Sequence, residues 1–211
     1  MYTPDAFLET RTDALHELIV QHPFATLITL DGGIPLINHL PLLLDPDRGP
    51  CGVLRGHVAR ANPLWQVLAQ AGSATAVFHG PDGYVSPSWY PAKAEHHKVV
   101  PTWNYAVVHA QCHARPIEEA DWLHRLIRDL TDRHEAAAEP PWSVDDAPGA
   151  FIETLVAQIV GIELTITGLS GKWKLSQNRS PADAAGVARG LRARGRPGDG
   201  NLATMMERYL S

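Results

Sequence analysis

ATAVFHGPDGYVSPSWYPAKAEHHKVVPTWNYAVVHAQCHA, residues 74–114, sets two runs of β character either side of a segment dense in Trp, Tyr, Pro and hydroxyl side chains. Val77 and Phe78 in the first run, and Val107 and Val108 in the second, have the branched and aromatic character of buried strands. Pro81-Asp82-Gly83 predicts a turn just after the first run. Between the runs, Tyr84, Ser86, Ser88, Trp89, Tyr90, Trp103, Asn104 and Tyr105 offer flat apolar surface together with hydrogen-bonding groups. A planar ligand uses both, one to stack on and the other to fix its orientation, although the same residue types also serve a core or an interface.

Working outward, composition bounds the class. With 211 residues, 45% hydrophobic and 19% charged, the chain is long enough for one substantial core or a domain with a smaller appendage. A net charge of −5 excludes a protein whose whole surface grips nucleic acid, and leaves only a local basic patch open. Cys51 and Cys112 lie far apart without CxxC spacing, so neither a disulfide framework nor a thiolate zinc site is expected, and a reduced, cytoplasmic setting is the simplest reading. The acidic start MYTPDAFLETRTD lacks the signature of an export signal, and nowhere do 18 apolar residues run together, so no membrane span is expected.

In chain order, Thr3-Pro4-Asp5 predicts a helix start, with Leu15, Leu18 and Ile19 at helical spacing up to Pro23. Residues 24–30 (FATLITL), the turn Asp31-Gly32-Gly33 and residues 34–44 (IPLINHLPLLL) predict a hairpin with Asn38 and His39 in mid-strand, where polar atoms must find partners or face a ligand. A further strand is expected over residues 51–58 (CGVLRGHV), then GHVARANP leads into a helix carrying Leu64, Trp65, Val67 and Leu68. Amides at a helix N-terminus, with His57 and Arg60 nearby, could hold a phosphate; equally, Asn62 could merely cap the helix and Arg60 be solvated. No P-loop or strand-linked G-x-G-x-x-G occurs.

His109, Gln111 and His113 alternate with apolar neighbours on a strand, too far apart to share a metal ion easily, so no metal site is expected. Residues 118–134 predict a helix with Trp122, Leu123, Leu126, Ile127 and Leu130 on one stripe, broken at Glu139-Pro140-Pro141. A short helix is expected over 147–156 and a strand over 159–166. GLSGKWKLSQNRS, residues 168–180, reads as a loop or arm whose Lys172, Lys174 and Arg179 could reach an anion. Ser180-Pro181 then starts a helix to about Arg194, and residues 202–210 predict a last short one.

The chain resembles the PaiB family of FMN-binding negative transcriptional regulators, on MYTPDAF at the start, NHLPLLLD at 38–45, GHVARANPLW at 56–65, YVSPSWYP and VPTWNYAVVHA within 84–110, and KWKLSQNRS at 172–180. The resemblance implies an α+β fold, a split β-barrel of the FMN-binding type with flanking helices and a helical C-terminal extension. It places the barrel at 1–170 and the extension at 171–211, in a homodimer with the flavin at the interface. Carried over by motif, Asn38, His39 and Leu40 would flank the isoalloxazine, and His57, Arg60 and Asn62 would face the ribityl phosphate. Ser86, Trp89, Trp103, Asn104 and Tyr105 would line the pocket, closed by Lys172, Lys174 and Gln177, while AKAEHHKVVP would bring paired histidines to its mouth. Two alternatives to the regulator stay open: an FMN-dependent oxidoreductase of reductase or oxidase type, and a haem-binding split barrel using His57, His96 or His97. No catalytic triad can be chosen among the many serines and histidines. Direct DNA contact, if any, would fall on the basic stretch 172–196.

Overall fold

A computed structural model describes residues 1–210. Local chemistry and structure agree most closely in the expected hairpin. Strands β2 (Phe24–Asp31) and β3 (Ile34–Pro41) pair antiparallel from Phe24↔Pro41 to Asp31↔Ile34; β1 (Leu8–Glu9) precedes them in the chain. Gly32 and Gly33 join them with φ of 56° and 86°, a left-handed pair that glycine adopts without steric cost and that matches the twist of the strands.

The second expected strand does not run on to Leu44. Leu42 gives its N–H to the carbonyl of Pro23, and the chain resumes as β4 (Leu43–Asp45), which pairs with β5 (Val53–Ala59). A second departure lies in the N-terminal segment, ahead of the first helix. The helix expected from Thr3 is interrupted: residues 5–7 make one 3₁₀ turn, β1 pairs with Gly171 and Lys172, and α1 begins only at Thr12, running to Gln21. The cause is Glu9, whose carboxylate accepts from the Arg11 backbone N–H at 2.8 Å and from the Arg11 guanidinium, which holds residues 8–9 extended.

After β5, α2 (Leu64–Ala71) leads to β6 (Ser73–Val85), which passes straight through Pro81-Asp82-Gly83 where a turn was expected. Gly83 serves close packing there. A Cβ on it would lie 2.9 Å from Leu202 of α7, the last helix (Asp199–Leu210), which starts three residues earlier than the sequence predicts. Then come α3 (Ala92–His96), β7 (Thr102–Ile117), α4 (Ala120–Glu135), α5 (Gly149–Val156) and β8 (Ile159–Lys174). The last of these corrects the loop expected at 168–174: strand alternation continues to its end, burying Trp173 (2% exposed) and setting Lys172 and Lys174 on the other side. The chain closes with α6 (Pro181–Arg194), capped by the Ser180 hydroxyl as expected, and α7.

The sheet has eight strands in the order β3-β2-β6-β7-β8-β5-β4, with β1 beside β8, and helices complete an α+β fold. Contacts divide the chain into two compact units. One comprises residues 1–22, 79–108 and those from Ser170 onward; its core includes Leu15, Leu18, Val108, Trp173, Leu191 and Met206. The other comprises residues 23–78 and 109–169, with Leu27, Leu54, Leu68, Phe78, Leu126 and Ile162 at its centre. No disulfide joins Cys51 and Cys112, and burial pushes the Cys112 thiol up to about 12. No described helix is long and apolar enough to cross a membrane.

Candidate functional site

The residues expected at a ligand site fall into two clusters, one in each unit. In the unit of residues 23–78 and 109–169, strand alternation separates Leu40, buried against the core, from His39, exposed on the outer face. The His39 ring stacks with Phe24 at 6.4 Å between centroids, and its Nδ1 lies 3.2 Å from the Thr26 hydroxyl across the hairpin. That outer face is unusually apolar for a bare surface: Phe24 is 65% exposed, Leu30 57% and Ile37 54%. β3 is also an edge strand, so half its backbone N–H and C=O groups point away from β2.

Asn62 ties this hairpin to the loop after β5. Its side-chain Nδ2 donates to Asn38 Oδ1 at 2.9 Å, while its Oδ1 accepts the Leu64 N–H at 2.9 Å and so caps α2. The cap expected of Asn62 is therefore made by the same side chain that bridges to Asn38. Arg60 lies two residues earlier and its guanidinium is occupied: Nε donates to the Ala157 carbonyl at 3.0 Å, one Nη to the Ile159 carbonyl at 3.2 Å and the other to the Glu118 carboxylate. Its own carbonyl accepts from the Trp65 indole at 3.0 Å. His57, three residues before Arg60, points its ring toward α4 and α5; Nδ1 is buried without a partner, and burial pulls the imidazole pKa below its ordinary value.

In the other unit the expected aromatic wall exists and is partly bare. Trp103 is 54% exposed and meets Tyr84 edge-on at 6.2 Å. The Lys172 ammonium sits 5.5 Å from the Tyr105 ring centre and 5.9 Å from that of Tyr2, and donates to the Tyr2 carbonyl. Lys174 reaches the Thr102 hydroxyl and, at 2.7 Å, the Trp103 carbonyl; burial first, and the cations Lys172 and Arg179, lower its pKa.

Four other expected residues build the support behind this wall. Asn104 is buried and donates to the Ser176 hydroxyl at 2.9 Å. Gln177 folds back on its own chain, donating to the Trp173 carbonyl and accepting the Leu175 N–H. The Ser86 hydroxyl caps the 3₁₀ turn Pro87–Trp89. Trp89 lies on Gly190, where a Cβ would come within 2.2 Å of the indole, and under the Arg194 guanidinium at 5.1 Å. His96 and His97 are exposed at the end of α3.

Sequence reasoning missed two participants. Glu118 and the carbonyls at 157–159 hold Arg60 across 58 to 99 residues of chain, a separation no local signal spans. Phe24 was legible, because FATLITL alternates and sets Phe24, Thr26 and Ile28 on one face, with His39 opposite Thr26. Among the described residues no three His, Cys, Asp or Glu side chains gather as a metal site.

Comparison with known proteins adds the kinship. The sequence profile described as "Putative FMN-binding domain" matches residues 1–168. The chain is 29% identical over 210 residues to "Protease synthase and sporulation protein PAI 2" of Bacillus subtilis, covering 100% of this chain and 98% of that one. It is 34% identical over 226 residues to an uncharacterized protein of Emericella nidulans, covering 90% of each. Among solved structures, the FAD and heme binding protein from Mycobacterium smegmatis superposes with a TM-score of 0.60 at 18% identity, over 79% of this chain and 73% of that one. The flavocytochrome Anf3 from Azotobacter vinelandii does so with a TM-score of 0.59 at 14% identity, over 79% and 69%. At such identities the likeness shows the fold alone, a split β-barrel with flanking helices.

Proposed function

Since the chain belongs to this FMN-binding-domain family, we propose that it binds FMN as a homodimer of PaiB type and acts as a negative regulator of transcription. The observation that carries the reading is the bare outer face of β2 and β3, with Phe24, Leu30 and Ile37 around His39, while Asn38 lies on the other face of the same edge strand and is bonded to Asn62. A flat ring system needs such an apolar bed with a few polar atoms at its rim. Asn38, His39 and the backbone of Leu40 would hold the isoalloxazine, and Arg60 with Asn62 the phosphate. The arginine is already paired with Glu118, but the two side chains are 40% and 55% exposed. Exposed pairs of this kind are worth about 0–1 kcal/mol, so a more highly charged phosphate can take the place of the carboxylate.

Trp103, Tyr105 and Lys172 would meet the flavin in the dimer, with Lys174, Trp89, Asn104, Ser86 and Gln177 acting as their support. Bound FMN supplies one- and two-electron chemistry, which the protein tunes by contact and exclusion of water. The basic stretch 172–196 is largely committed internally: Lys172, Arg179 and Arg194 lie over aromatic rings, Lys174 bonds a carbonyl, and Arg192 pairs with Glu207. An effect on transcription is therefore proposed to follow the occupancy of the flavin site rather than a bare cationic groove.

Titration followed by flavin-fluorescence quenching tests the site. FMN binds the native chain at least about tenfold more tightly than riboflavin, Arg60→Ala removes that preference, and Glu118→Gln increases it. Equal affinity for the two flavins overturns the phosphate assignment, and absence of any flavin binding overturns the reading. Fast reduction of the bound flavin by NADH or NADPH would place the chain among oxidoreductases instead.

A further inference from the structure

The flavin reading leaves two positive charges unanswered: it sets a neutral ring system near Lys172 and gives the phosphate to Arg60. Lys172 and Lys174 stand two residues apart on β8 and so share one face of it. Leu8 on β1, 49% exposed, is the register partner of Lys172 and joins that face. The carboxylate next to it in the chain, Glu9, takes the opposite face and is held by Arg11. Each ammonium is met only by neutral groups: Lys172 by the Tyr2 carbonyl at 3.1 Å and the Tyr105 ring, Lys174 by the Thr102 hydroxyl and the Trp103 carbonyl. Among the described residues no carboxylate pairs with either lysine.

This charge stands beside a bare aromatic wall. Trp103 and Tyr105 occupy alternate positions of β7, the neighbour of β8, and Tyr84 on β6 meets Trp103 edge-on. The Trp103 indole is 54% exposed and Tyr84 37%, and all these residues belong to one compact unit. Adjacent strands lie about 4.8 Å apart, so an ammonium on β8 and an indole on β7 fall within the span of one small fused-ring molecule. A carboxylate conjugated with such a ring lies in its plane, and ring and charge then reach the two strands together. Each ammonium has three donors and keeps at least one for it. Burial first, and then the like charges of Lys172 and Arg179, lower the Lys174 pKa against the opposing influence of Tyr105, and a bound anion relieves that repulsion.

We infer that this wall binds a flat aromatic carboxylate, its ring on Trp103 and its carboxylate between Lys172 and Lys174, and that this ligand competes with FMN. The binding rests on this unit alone. The competition rests on the flavin reading, which sets the flavin against the same Trp103, Tyr105 and Lys172. Flavin occupancy then answers to a second small molecule.

The full-length, flavin-free chain is titrated calorimetrically with 2-naphthoate and with 2-naphthamide, which keeps the shape without the charge. 2-Naphthoate binds at least about tenfold more tightly, Lys172→Gln removes most of that preference, and Trp103→Ala weakens both probes. On the unsubstituted chain, where folding of a variant is not at issue, 2-naphthoate moves the ¹⁵Nζ resonances of Lys172 and Lys174 and 2-naphthamide does not. With 2-naphthoate at about ten times its own Kd, the apparent Kd for FMN rises about tenfold. Equal affinities for the two probes, unmoved lysine resonances, or no binding of either probe would each overturn the site. An FMN affinity unchanged by 2-naphthoate overturns the competition. A chain that binds 2-naphthoate but no flavin refutes the flavin reading together with the competition, and supports the carboxylate site.

Discussion

Asp199 shows how much one residue can carry. It is 2% exposed, yet charged, because the Arg194 guanidinium grips it at 2.5 and 2.9 Å and the Arg196 N–H adds a third bond at 2.8 Å. Arg194 also donates to the Tyr84 carbonyl, fastening the start of α7 to β6. The hydrogen bond from Arg194 outweighs burial and holds the Asp199 carboxyl below the ordinary aspartate range. A carboxyl that binds its proton less tightly when folded stabilises the fold fully above its unfolded pKa, near about 4, and loses that contribution as pH falls through its folded value. Acidification below about pH 4 therefore weakens the protein. Asp199→Asn flattens that part of the stability curve and removes about 3 kcal/mol at neutral pH, measured by urea unfolding across pH. From sequence, Arg194 read as one member of a basic stretch. Its partner is only five residues away, but nothing in the spacing says that both are buried.

Among the elements, the hairpin and α2 were the most legible, because turn and cap chemistry acts within a few residues. The Gly-Gly turn sets the register of β2 and β3, and Asn62-Pro63 starts α2. The elements that departed from expectation did so where a distant partner outweighed the local signal. Pro81-Asp82-Gly83 stays in β6 because α7 packs on Gly83, and residues 168–174 stay in β8 because Trp173 is taken into the core. Asn62 links both kinds of influence, as a local cap and as a bridge to Asn38 on β3. Asn62→Ala accordingly costs about 1 kcal/mol or more in urea unfolding, while Asn62→Asp keeps most of the cap and loses the donor to Asn38. If the FMN proposal is right, both variants bind FMN more weakly, and the aspartate isolates the bridge from the cap.

For the whole molecule, the exposed apolar face of β2 and β3 is the feature that a lone chain leaves unexplained. A homodimer that covers it accounts for the hairpin's apolar outer positions, which a solvated sheet would fill with polar residues. Light scattering at micromolar concentration should show the native chain as a dimer and Ile37→Lys as a monomer with unchanged circular dichroism and weakened FMN binding. A native monomer would remove the interface model.

The sequence by itself determined the elements and much of the candidate list: strands from branched and aromatic runs, turns and caps from Gly, Asn and Ser, and kinship from motifs spread along most of the chain. Those signals act within a few residues of chain, and so survive in one dimension. Only the tertiary structure decided which candidates face solvent and which are bound internally: Trp103 and His39 on the surface, Asn104 and Gln177 in the support, Arg60 on Glu118, His57 turned toward α4 and α5. The reason is physical. A side chain's conformational preference is set by its own backbone, whereas its partner is set by where a segment tens of residues away crosses the sheet, and no periodicity of residue types encodes that crossing.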